Sequence, residues 1–246
     1  MQISDDLFLG PAFTTQGSDS ALGNPSPMEK GVGPMGRVYI FDVVPLVLQT
    51  AGLAALQTLL AAGNLTLTAG TGVTTTTDAS GTVRYVLDTP RVVTFTSAAD
   101  ESAVTFTVTG YDVFGQRMTQ SRAGPNANTV ATTKAFKSII SVAASAAVAN
   151  NTSVGYGDTL GLPIRVTNAV YVLAVKWAST LAQDAGTFTA AVTTDPATAT
   201  TGDVRGTYLP SSATDGARRL IVAIAVPAIG CGPNATRVGA LGVTQA

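Results

Sequence analysis

Along the stretch from Ala103 to Arg122, apolar and polar residues alternate. Val104, Phe106 and Val108 fall on one side, and Thr105, Thr107 and Thr109 on the other. A period of two marks a strand with one buried face. Glycine and polar residues fill Gly110 to Gly115, and a more polar segment runs on to Arg122. The pattern predicts a β-hairpin with a wide, partly aromatic turn. The same recipe of short Val/Thr/Phe segments between Gly, Asn, Asp and Pro recurs along much of the chain. It predicts strands at Arg37–Val44, in Leu65–Thr77, and at Thr82–Leu87 and Arg91–Ser97, the last two parted by Asp88-Thr89-Pro90. Further strands are expected at Ala169–Trp177, Gly186–Thr193, Arg219–Val226 and near Arg237–Val243. Ala169–Trp177 reads as central because it is the most apolar, and Arg219–Val226 as buried on both faces. Asn150–Asp158 reads as a turn, and Pro163 points to an edge or bend in Thr159–Val166. Ser138–Ala149 fits either helix or strand.

One segment breaks the pattern. In Thr50–Ala62 the leucines 53, 56, 59 and 60 recur at three- and four-residue steps on an Ala-rich background, which predicts a short helix ending at Gly63-Asn64. Met1–Gly36 carries no sustained period and several prolines and glycines, and reads as an extended N-terminal arm. Leu7, Phe8 and Phe13 stand out in it as apolar residues that either tuck onto their own body or dock on a neighbour. The fold expectation is all-β, a β-sandwich or jelly-roll-like body over 37–246 with one short helix and the arm over 1–36.

Composition adds a surface. Charged residues make up 12% of the 246-residue chain, against roughly 25% in ordinary globular domains. The net charge is −1 and 46% of residues are hydrophobic, so the low charge does not signal disorder. Thr, Ser, Asn, Gly and Ala must cover the outside. A neutral surface with scattered basic residues argues against nucleic acid as a partner. The longest apolar runs are about half of the ~20 residues a membrane helix needs, so no membrane span is expected. The opening MQISDDLFLG has acids where a secretory signal would carry bases.

Chemistry is hard to place. The chain has no histidine, which excludes Ser-His-Asp, Cys-His and His-metal sites. Its one cysteine, Cys231, has no histidine to activate it. Gly31-Val-Gly33-Pro-Met-Gly36 matches a dinucleotide-binding pattern, but coil precedes it and a strand follows, where a pyrophosphate site needs a strand before and a helix after. Asp5-Asp6 and Asp100-Glu101 read as solvated turns, and the Asp195–Asp203 loop lacks calcium-ligand spacing. No cofactor, no metal and no enzymatic activity are expected. Of Tyr111, Phe114, Tyr156, Trp177 and Tyr208, the residues Tyr111 and Phe114 flank the hairpin turn and are the candidates for partner contact, while Trp177 reads as core.

Three stretches, Val104–Gln120, Gly155–Val166 and Thr201–Val226, resemble virion structural proteins of tailed bacteriophages, in particular the capsid decoration or cement proteins of short-tailed phages. The resemblance implies a homotrimeric β-sandwich on the outside of a virion head. There it would bridge subunits of the major capsid protein, with Leu7, Phe8, Phe13, Tyr111 and Phe114 as contact candidates. A receptor- or glycan-binding head-fibre or tail component is the alternative it leaves open.

Overall fold

The computed structural model describes residues 2–8, 35–178, 182–194 and 196–226. Among them lie fourteen strands, one 3-10 turn at Ala169–Tyr171 and no α-helix. The strands are β1 Gln2–Phe8, β2 Met35–Val43, β3 Gln49–Leu59, β4 Gly63–Asn64, β5 Val73–Thr77, β6 Val83–Ser97 and β7 Thr105–Tyr111. They continue with β8 Arg117–Ala123, β9 Thr129–Ala144, β10 Val148–Gly161, β11 Val172–Trp177, β12 Thr187–Thr189, β13 Thr207–Leu209 and β14 Leu220–Val226. The protein is all-β and sandwich-like.

A ten-stranded antiparallel sheet runs β12-β13-β10-β6-β9-β7-β8, with β3 also on β10, β4 on β9 and β5 on β6. Its three long strands, β6, β9 and β10, change partners along their length through register shifts, such as that between Val86 and Arg91 of β6. A bulge adds twist and bends a strand, so one strand serves two parts of a curled sheet. Phe95 of β6 and Phe106 of β7 meet across the resulting core, stacked with centroids 4.8 Å apart. Leu53, Val93, Phe136 and Val154 are buried in the same cluster. A second sheet, β1-β2-β14-β11, has its own core: Tyr39, Phe41, Trp177 and Ile224 pack with Leu160, Leu162 and Tyr208. The two cores share β10, since Tyr156 belongs to the first and Leu160 to the second.

The hairpin expected over Ala103–Arg122 is present as β7 and β8, with Val104, Phe106 and Val108 buried and the threonines between them half-buried. Five other expectations are corrected. The segment Thr50–Ala62 is no helix: it lies mostly in β3, paired with β10 on one side. On its other side Thr68 N donates to Leu53 O at 2.8 Å and Gly70 N to Gly52 O at 2.9 Å. Hydrogen bonds from two flanking segments outweigh an Ala-rich local preference, which is a weak prior. Gly52 also fits the strand, because a Cβ there would meet Tyr156 Cε1 at 2.8 Å.

The strands expected on either side of Asp88-Thr89-Pro90 are one strand, β6, and Pro90 sits within its register shift, where no ladder donor is required. The ambiguous Ser138–Ala149 resolves as the end of β9 and the start of β10. Asn150–Asp158, expected as a turn, lies inside β10. Its polar side chains are satisfied across strands, as where Ser153 Oγ donates to Thr50 O at 3.0 Å. β11 is not central: it ends the four-stranded sheet, and the inner positions belong to β2 and β14. In β14, Leu220, Val222 and Ile224 are buried while Ile221 and Ala223 are half-buried, so one face is core and the other is partly covered. Within the arm, β1 pairs antiparallel with β2, Gln2 opposite Ile40 and Phe8 opposite Met35. Phe13, Cys231 and the strand expected at Arg237–Val243 lie outside the described residues.

Candidate interaction surface

The tip of the β7–β8 hairpin is built around one carboxylate. Asp112 Oδ1 accepts the N–H groups of Phe114 and Gln116, both at 2.8 Å. Gly115 takes φ +78°, which its missing side chain permits and which closes the turn. The other oxygen, Asp112 Oδ2, pairs with Arg205 Nη1 at 2.7 Å, and both side chains are about 2% exposed. The Arg205 guanidinium also lies 4.9 Å from the centroid of the Phe114 ring. The tip is therefore bolted to the loop that leads into β13. That loop holds the segment after β10 as well, because Leu162 N donates to Gly206 O and Val166 N to Arg205 O, each at 3.0 Å.

The two hairpin aromatics do not behave alike. Tyr111 is half-buried beneath Arg84, whose guanidinium carbon is 4.0 Å from the ring centroid. Phe114 is 44% exposed, one of its faces meeting Arg205. Leu7 and Phe8 lie on the other sheet, in β1 opposite Gly36 and Met35. The candidate contacts are thus split between the two sheets. Trp177 is core, as expected, with Nε1 donating to Ser212 Oγ at 2.8 Å. Tyr156 and Tyr208 are buried too, and their hydroxyls donate to Thr71 O at 2.9 Å and Asp184 Oδ2 at 2.6 Å. No aromatic platform forms from these five rings.

The alternation of apolar and polar residues gave no hint of the buried charges. Arg91 is fully buried and donates to both oxygens of Asp88, at 2.8 Å each, and to Leu46 O at 2.6 Å. Asp88 Oδ2 in turn accepts Leu46 N at 2.7 Å, and Thr214 Oγ1 donates to Leu46 O at 2.6 Å. The backbone of Leu46 is held at both its N–H and its C=O, while the side chains of Val44, Leu46 and Val47 face solvent. Lys134 is buried and donates from Nζ to Thr119 O at 3.1 Å. Burial pushes its ammonium down to about 8, against the opposing pull of the Asp203 charge. Asp203 accepts Ala135 N at 3.0 Å and Arg205 N at 2.8 Å, so it holds backbone from two segments. Glu101, expected in a solvated turn, is buried and accepts the Asn150 N–H. The apolar neighbours that bury these groups come from distant strands, so only Asp112, inside a turn-like run, carried a local signal.

Of the four leucines that suggested a helix face, Leu53 is buried and Leu59 half-buried, while Leu56 and Leu60 are 62% and 100% exposed near the end of β3. Among the described residues no three His, Cys, Asp or Glu lie together as metal ligands, and no helix is long and apolar enough to cross a membrane. No family model, curated protein or solved structure matches the chain.

Proposed function

We propose that the protein is a virion structural protein that decorates the outside of a phage head and stabilises contacts between major capsid protein subunits, acting as a homotrimer. The observation that carries this reading is the Val44–Val47 loop. Aliphatic side chains there are turned to solvent on a backbone clamped by Arg91, Asp88 and Thr214. Ordering a loop in advance lowers the entropic cost of docking it. A body with few charges also suits burial against a protein lattice. The three stretches that carry the resemblance support it further, since they meet in space. Asp112 of the first pairs with Arg205 of the third, and Leu162 and Val166 of the second bond the same loop.

The mechanism is mass action. A protein that binds the assembled lattice and not its free subunits stabilises the lattice by its binding free energy. A trimer engages several subunits at once, which multiplies the effect through effective concentration. The test is to add purified protein to heads lacking it and locate it by electron cryo-microscopy. Stoichiometric density on the outer surface, with weaker attachment for Val44→Ser/Val47→Ser, is the expected result. Saturating attachment by that variant removes the loop from the interface, and no attachment by the wild type removes the function.

A further inference from the structure

Among the described residues several sheet edges carry further backbone contacts. Backbone of 68–70 lies along β3, Ala199 O accepts from Ser121 N of β8 at 2.8 Å, and Asp184 N donates to Val175 O of β11 at 2.9 Å. The outer edge of β5 has no such contact along 74–77 among the described residues. Among the described residues β5 pairs only with β6, in a register without a shift. Thr74, Thr75, Thr76 and Thr77 are all exposed, so both faces of this ribbon meet solvent. Natural edges are blunted with charges, prolines or bulges, and Val73–Thr77 has none of them.

The ribbon is held firmly at its turn. Asp78 Oδ1 accepts Ser80 N and Thr82 N, each at 3.0 Å, and Oδ2 pairs with Arg84 at 3.0 Å. Arg84 is itself stacked on Tyr111. Among the described residues the edge is therefore open, regular and fixed in place.

We propose that this edge joins two copies of the chain, β5 pairing antiparallel with β5 of the second copy about a two-fold axis at Thr76. The hydrogen-bond alternation sets that register. Asp78 N donates to Thr82 O at 3.0 Å, so Thr74 and Thr76 direct their backbone groups to β6, while Thr75 and Thr77 direct theirs outward. Placing Thr75 opposite Thr77 of the second copy, and the reverse, pairs every outward group at these positions. Thr76 then faces its own counterpart at the close, non-hydrogen-bonded position, where threonine pairs are favourable. A neutral strand meets no like charge when it pairs with itself, and a self-complementary patch is what two-fold symmetry requires. The contact is distinct from any three-fold association and does not depend on head attachment.

The test is cysteine trapping in a Cys231→Ser background. Under mild oxidation Thr76→Cys is expected to form a disulfide-linked dimer at least about tenfold faster than Ala79→Cys in the exposed turn, because the two-fold raises the effective concentration of one thiol near its twin. Adding Thr75→Lys and Thr77→Lys to Thr76→Cys is expected to abolish the advantage, with the far-UV circular dichroism unchanged. Equal rates for Thr76→Cys and Ala79→Cys overturn the proposal. So does an advantage that survives the lysines.

Discussion

Arg205 and Asp112 form an ion pair with almost no access to water, and such a pair is a poor source of net stability but a costly thing to break. Replacing Arg205 by Met leaves the Asp112 carboxylate buried without its partner, and is expected to lower the unfolding free energy by about 3–5 kcal/mol. Adding Asp112→Leu removes the stranded charge. It also removes the acceptor for the Phe114 and Gln116 N–H groups, so the double variant recovers only part of the loss. Urea unfolding of the single and double variants checks both statements. Lys134 gives a second residue-scale expectation. Its folded-state ammonium titrates near 8, below the ordinary 10.5. Between those values the unfolded chain holds a proton that the folded chain has released, so stability rises with pH across that window. Lys137, also pushed down by burial, acts in the same direction. Tyr39 is pushed up to about 12 by burial, and Tyr156 and Tyr208 are raised mainly by burial. Their contributions are present below the ordinary tyrosine value and fall away above it, which caps the rise near pH 10. Wild-type stability is expected to climb from pH 8 to 10, and Lys134→Met to climb less, as read from urea midpoints at each pH.

Elements differ in how far their own sequence decides them. The β7–β8 hairpin is local: its strands are joined by a turn whose Asp112 and Gly115 sit within it, and one face is buried along its whole length, so alternation identified it. The β5–β6 turn is equally local. Asp78 there is held down at about 2 by Ser80, Arg84 and Thr82. Its contribution is present above the ordinary carboxylate value and lost as pH falls from about 4 towards 2. Asp78→Ala is expected to speed amide exchange at Ser80 and Thr82 while leaving the global unfolding midpoint nearly unchanged, since the ribbon is exposed on both faces. Exchange measured by mass spectrometry or NMR distinguishes that from a global loss. β3 and β10 are the opposite case. Leucines at helical spacing in β3 and Asn-rich turn chemistry in β10 both misled, because what makes these segments strands is each other and β6. Gly52, a residue type that disfavours helix, has its physical reason in the Tyr156 ring from β10. The apolar run in β11 is likewise explained by Val175 and Trp177 facing the second core, not by a central place in the sheet. The candidate surface was legible only where it lay in the hairpin. Phe114 is exposed, Tyr111 is covered by an arginine from β6, and the clamped Val44–Val47 loop follows a strand with nothing local to mark it.

At the scale of the whole molecule the proposed decorating role asks two hydrophobic cores to behave as one body, because a body that yields at an internal joint passes no load between the subunits it would bridge. Two of the ties at the joint are a shared strand and a buried ion pair. β10 runs through both cores, and the Arg205–Asp112 pair ties the hairpin tip of the large sheet to the loop entering β13. A shared strand makes separate unfolding of the smaller core expensive, since its loss would expose Leu160 and Leu162 against an intact neighbour. Trp177 is the only tryptophan in the chain and belongs to the second core, whereas far-UV circular dichroism is dominated by the ten-stranded sheet. The two signals therefore report on different cores. In the wild type they are expected to change together in a urea titration, as a single cooperative transition requires. In Arg205→Met the second tie is cut and a buried carboxylate is left at the joint, so the Trp177 fluorescence is expected to move at lower urea than the dichroism. Coincident curves in that variant, shifted as a pair, would show that β10 and the remaining hydrogen bonds, such as Ala135 N to Asp203, hold the cores together and that the ion pair fixes only the hairpin tip.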